Sequence, residues 1–131
     1  MPLDNISETV RASMAYERSR VEVASYNLAI ANVAIAPGQR SPLLGVSPPA
    51  SFASQMGLPQ PMVHAQARSD TRLVHDPAHP LADHNGMVHY PNIEAAREMA
   101  TLVSATRAYE ANIRAYNSLR EMTLKAFEIG K

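Results

Sequence analysis

From Asn92 to Ile129 the chain contains neither proline nor glycine. Apolar or small side chains recur there three and four apart, at Ala95, Met99, Leu102, Thr106, Tyr109, Ile113 and Tyr116. That spacing places them on one narrow stripe of an α-helix, the stripe along which one helix packs on another. Pro91 closes the extended stretch before it, and Asn92 is an N-cap residue type whose side chain accepts a backbone N–H. Glu94 and Glu98 lie at the positive end of the helix dipole. Gly130 falls at a C′ position, with Lys125 and Lys131 at the negative end. At about 1.5 Å per residue such a helix exceeds roughly 50 Å, longer than a small domain needs.

The N-terminal third carries a second stripe of the same period: Leu3, Ser7, Val10, Met14, Glu17, Val21, Ala24, Leu28, Ala31 and Ile35. Asp4 or Asn5 is the expected N-cap, with Glu8 placed to reach back to it. Pro37-Gly38 marks the expected end. Ala24 and Ala31 make this seam thin, so it buries little: a fully buried Leu contributes about 1.5–3 kcal/mol and an Ala much less.

Between the two helices the composition changes. Ten prolines occur in 131 residues, and eight of them lie from Pro37 to Pro80. Proline withholds the backbone donor that a helix or central strand uses, so residues 37–72 are read as an extended, Pro-rich linker. Phe52, Met56 and Leu58 are candidates for a short anchored turn within it. Met62 to Arg68 alternates weakly, Thr71 to His75 is strand-like, and Asn85-Gly86 signals a tight turn before a short strand at Met87 to Tyr90. A small β element over 73–91 follows; alone it is marginal and needs a helix or a neighbour to pack on. The expected architecture is mainly α: an N-terminal helix (1–36), the linker (37–72), the β element (73–91) and a C-terminal helix (92–131). The two helices pair antiparallel as a coiled-coil-like hairpin, all in one domain.

Charge and composition remove several function classes. Twelve basic and twelve acidic side chains give a formal charge of +0, with no basic block that would track nucleic acid or an anionic membrane. Without cysteine there is no disulfide framework, thiol nucleophile or thiolate metal site. No stretch approaches the ~18 apolar residues of a membrane span, and the polar start is not that of a cleaved signal peptide. His64, His75, His79, His84 and His89 raise a metal-dependent reading. Pro77 and Pro80 exclude the helix that would align His75 with His79, and no dense set of ligands completes a site. There is no nucleophile elbow, phosphate loop or His-Glu-x-x-His, so no cofactor, small-molecule substrate or catalysis is expected.

The apolar surface instead points to protein partners. Beyond its stripe the C-terminal helix carries Val103, Leu119, Met122, Leu124, Phe127 and Ile129, and after Tyr116 the repeat rotates to another face. Large exposed apolar faces mark protein–protein contact. The expected subunit interface comprises Val10, Met14, Val21, Asn27, Leu28 and Ala31 on the first helix. On the second it comprises Met99, Leu102, Arg107, Tyr109, Asn112, Ile113, Tyr116, Leu119 and Met122. Tyr109 and Tyr116 are anchors, combining area with a hydroxyl. Asn27 and Asn112 are candidates for fixing helix register. Met99 to Tyr116 is expected to face the chain's own first helix, and Leu119 to Ile129 other subunits. The competing reading is a soluble helical-hairpin adaptor that binds one partner and never polymerises.

Particular residues sharpen this. Ser13-Met14, Arg20, Val23 and Asn27-Leu28-Ala29 resemble the opening motif of the bacterial flagellar rod and hook axial proteins. Glu98-Met99 and Arg107-Ala108-Tyr109-Glu110-Ala111-Asn112 resemble their closing motif. The segment Asp76-Pro77-Ala78-His79-Pro80-Leu81-Ala82-Asp83, with Asn85-Gly86, Val88 and Tyr90-Pro91-Asn92, is similar to the proximal-rod branch of that family. The likeness covers residues 6–35 and 73–131. The family's Asn-Leu-Ala-Asn-Ala reads here Asn27-Leu28-Ala29-Ile30-Ala31, and its Gly-containing turn is replaced by Val33 to Gly38. The resemblance implies a structural subunit exported by the flagellar type III apparatus without a cleaved signal. Its terminal helices would pair as the inner layer of a hollow periplasmic rod in the basal body, against other rod subunits and copies of itself.

Overall fold

The structure, a computed structural model, describes residues 2–48, 61–66 and 70–129, with side chains from residue 5 onward. Helix α1 spans Pro2–Ile30 and helix α2 spans Ala95–Ile129. Between them lie two antiparallel strand pairs. Strand β1 (Leu44–Ser47) pairs with β2 (Met62–Ala65), with Gly45 opposite His64; β3 (Thr71–His75) pairs with β4 (Met87–Pro91), with Leu73 opposite His89. The mainly helical class holds, but with two hairpins in place of one. Met62–Ala65 pairs backwards to Leu44–Ser47, so part of the expected Pro-rich linker is sheet. The strands fit between prolines, since residues 43–47 and 62–66 are proline-free. The candidate turn at Phe52, Met56 and Leu58 lies outside the described residues.

The helix ends also differ from the sequence expectation. α1 begins at Pro2, whose missing N–H costs nothing at a first helical position. Asp4 and Asn5 are therefore inside the helix and not caps, and the Asn5 carbonyl accepts the Thr9 hydroxyl at 2.8 Å. α1 stops at Ile30, not at Pro37-Gly38. The Val33 N–H turns back to the Ile30 carbonyl at 3.0 Å, and the Ile35 N–H then donates to the His89 carbonyl at 2.8 Å. The β-branched Val33 and Ile35 favour this extended exit, and burial of Ile35 rewards it. Pro37 and Gly38 instead form the centre of a type II turn: the Gln39 N–H donates to the Ala36 carbonyl at 3.1 Å, and Gly38 has φ +82°.

At the other helix, Asn92 does not cap. Its N–H continues the β3–β4 edge to the Asp70 carbonyl at 3.3 Å, and the Glu94 carbonyl receives the first helical N–H groups, from Arg97 at 2.9 Å and Glu98 at 3.1 Å. α2 thus starts at Ala95, three residues later than expected, because the sheet holds the chain extended through Asn92. Gly130 and Lys131 lie outside the described residues.

The β3–β4 connection, Asp76 to Gly86, is built around one carboxylate. Asp83 Oδ1 accepts the N–H groups of Asn85 at 2.8 Å and Met87 at 2.9 Å. The Asp83 N–H donates to the Met87 carbonyl, and its own carbonyl accepts from Gly86, each at 2.9 Å. Gly86 needs its glycine: φ is +73°, and a Cβ would lie 3.1 Å from the Pro77 ring. His89 stands 3.5 Å from the second Asp83 oxygen. The Met87 N–H foremost, then the Asn85 N–H and His89, hold this carboxyl below its ordinary value of 3.8. A group depressed on folding stabilises fully above its unfolded value, and that contribution is lost as pH falls through the lower folded one. Acidifying from about pH 5 to about pH 2 should therefore lower the melting temperature of the wild type more than that of Asp83→Asn, which keeps an acceptor oxygen but cannot titrate. Parallel melting curves for the two proteins would reject this role.

Candidate assembly surface

The two helices run antiparallel. Arg11 Nη2 donates to the Tyr116 hydroxyl at 2.7 Å, and Asn112 Nδ2 to the Ser13 hydroxyl at 2.8 Å. The Arg11 guanidinium also lies over the Tyr116 ring, 5.4 Å from its centre. Their hydrogen bond draws the Tyr116 phenol below its ordinary 10.0 and raises Arg11. Asn112 thus bridges the helices, as its position beside the seam suggested. By this register α2 runs about one turn past the start of α1.

On α1 the predicted stripe faces inward: Val10, Met14, Val21, Leu28 and Ala31 are half-buried, and Glu17 and Ala24 are buried. Glu17 is tolerated in the seam because Arg20, one turn on, donates to it at 2.8 Å. On α2 the inner face coincides only in part with the apolar stripe read from the sequence. The covered positions are Thr101, Leu102, Ala105, Ala108, Tyr109, Asn112, Tyr116, Leu119 and Thr123, with Ala105 buried and the others half-buried. Ala95, Met99, Thr106 and Ile113 are exposed, Met99 at 57%.

The remaining large apolar side chains of α2 are left outside. Val103, Ile113, Met122 and Leu124 are exposed, and at the projecting end Phe127 and Ile129 reach 72% and 86%. Leu119 follows the inner row, whereas Met122 does not. Arg107 and Glu110 are exposed. Asn27 departs from the register role expected of it. It is 1% exposed and holds β1, not α2: its Nδ2 donates to the Leu44 carbonyl and its Oδ1 accepts the Leu44 N–H, both at 3.0 Å.

An open groove of about 830 Å³ lies beside this contact, bordered by Arg20, Asn27, Val46, Ile93 and Arg97. Among the described residues no three His, Cys, Asp or Glu side chains are placed to hold a metal ion, and no helix is long and apolar enough to cross a membrane. Of the histidines, His89 sits between Asp83 and the Thr71 hydroxyl, which is 3.3 Å from its Nδ1. His64, His75 and His84 are exposed. Reading from the sequence missed Arg11, Ser13 and Ala105. The available signal on α2 was a row of small side chains, Thr101, Ala105 and Ala108, at helical spacing, one position around from the apolar one.

The chain is similar to known proteins over its whole length. Residues 84–129, which hold β4 and the whole of α2, match the family described as flagellar basal body rod FlgEFG protein C-terminal. The flagellar basal-body rod protein FlgC of Salmonella typhimurium is 33% identical over 134 aligned positions that cover all of both chains. The protein of the same name from Bacillus subtilis is 51% identical over 63 residues, 48% of this chain and 42% of that one. That from Aquifex aeolicus is 42% identical over 60 residues, 46% of this chain and 45% of the other. A helix pair with an exposed apolar row along its C-terminal member thus coincides with full-length similarity, and the chain belongs to the flagellar basal-body rod protein FlgC family.

Proposed function

We propose that this chain is a non-enzymatic structural subunit of the bacterial flagellar basal-body rod, and that it assembles through its terminal helices with other rod subunits and with copies of itself. The observation that carries the reading is the outward apolar row of α2 in a chain similar end to end to rod proteins. Met99, Val103 and Ile113 lie along the helix, and Met122, Leu124 and Phe127 towards its projecting end. An exposed apolar row and end of this kind supply one of the two different surfaces that a head-to-tail assembly brings together. In the rod the paired helices form a coiled-coil-like inner layer, and the hairpins pack outside it. The proximal position in the rod, a periplasmic location and passage through the flagellar export apparatus complete the reading. They are supported by the motif likeness over residues 73–92 and by the full-length similarity to rod proteins.

Purifying basal bodies from cells that make this chain, and probing them with an antibody to it, tests the proposal. The chain should appear with the rod fraction and stay there after detergent and high-salt washing. Recovery only in a soluble complex with one partner would favour the helical-hairpin adaptor instead.

A further inference from the structure

The contact between Asn27 and Leu44 is more specific than core packing requires. A carboxamide presents one C=O and one N–H₂ side by side, the same pair that a peptide group offers. Asn27 directs both at one residue, accepting the Leu44 N–H and donating to the Leu44 carbonyl, each at 3.0 Å. On its other edge β1 is bonded to β2, and the Gln66 N–H donates to the Leu43 carbonyl at 2.8 Å. The Gln66 side chain adds a second donor to the Leu44 carbonyl at 3.0 Å. On the helix side of β1, then, the Asn27 and Gln66 side chains stand where a further strand would stand, and Asn27 alone meets both backbone groups of Leu44. Asn27 is 1% exposed, so water does not compete for these bonds. β2 on the far side is exposed along its whole length, so the hairpin is held to the rest of the chain through β1.

We propose that Asn27 is a positioning residue, which fixes the β1–β2 hairpin at one angle to the axial helix pair, and that incorporation into the rod depends on that angle. The second half rests on the rod reading above. A subunit in a helical assembly repeats any change of angle at every copy, so a loose hairpin fails as a repeating contact even where each monomer is folded.

Two variants of the full chain test this. Asn27→Leu fills the same space without polar atoms. Its helix content by circular dichroism should match the wild type, while the Leu44 amide exchanges at least tenfold faster and basal bodies contain at least tenfold less of the chain. Asn27→Asp should lose protection at Leu44 in the same way at neutral pH. Protection should return once the pH falls below the titration of the new carboxyl, relative to wild type at the same pH. A neutral carboxylic acid restores one donor and one acceptor in the carboxamide arrangement, and a side chain that only fills space would not produce this reversal. Wild-type incorporation of Asn27→Leu, or no acid recovery in Asn27→Asp, would overturn the proposal. Absence of the wild type itself from basal bodies would sink the rod reading and the assembly half with it, while the Leu44 exchange rates would still decide the joint.

Discussion

Replacing Met99 and Ile113 together by glutamate should cut incorporation of the chain into basal bodies at least tenfold and leave the isolated subunit folded. Both side chains are exposed, Ile113 less so than Met99, and neither lies in the covered row against α1. Glutamate is a good helix former, so α2 loses no intrinsic propensity. Exposed substitutions of this kind shift stability by about 0.5 kcal/mol or less. In an assembled interface the same two carboxylates would be desolvated without partners. A loss of about 1.4 kcal/mol already corresponds to tenfold in affinity, and anchor positions lose more. Melting curves of the purified variant and immunoblots of basal bodies separate the two effects. Normal incorporation would show that the outward row of α2 is not a contact surface. Unfolding of the subunit would show that the row belongs to the monomer's core.

Val88→Asp should have the opposite signature, unfolding the β3–β4 hairpin in the isolated chain. Val88 is fully buried on β4, beside His89, whose carbonyl holds the Ile35 N–H as the chain leaves α1. A carboxylate there loses its hydration, which costs several kcal/mol even after relaxation. That is comparable with the entire stability of a small domain. Backbone exchange at Ile35 and Val74 should rise with that at residue 88 itself, since all three depend on one sheet. Protection confined to its wild-type pattern would mean that this hairpin does not contribute to the fold as described.

Much of this architecture was legible in the sequence, and the exceptions share physical causes. Both helices followed from 3,4 repeats, and most of the α1 stripe lies on its covered face, although Val23 and Asn27 beside it are buried as well. β3 and β4 were visible through Thr71–His75 and Met87–Tyr90. The inner face of α2 was legible only in part: Leu102, Tyr109 and Tyr116 lie on it, but hydrophobic periodicity finds large side chains and passes over Thr101, Ala105 and Ala108 beside them. The pairing of β1 with β2 was hidden because it joins segments far apart in the chain, and nothing in Leu44–Ser47 distinguishes a strand from extended linker. The end of α1 was misplaced because its stop signal is tertiary: the demand of His89 for Ile35, not a glycine or proline. Asn27 was noticed as polar on a seam, but its partner is a backbone that sequence spacing does not bring near.

The hydrogen bonds between the helices join positions 105 and 99 residues apart, Arg11 with Tyr116 and Ser13 with Asn112. Contacts of such long range must close nearly the whole chain into a loop before they form. While the chain is being synthesised, or is threading through any narrow passage, α1 has β1 to pack on through Asn27 but no second helix until α2 is free. Placing the two halves of the helix contact so far apart in sequence makes closure of the helix pair a late step, after both strand pairs have emerged.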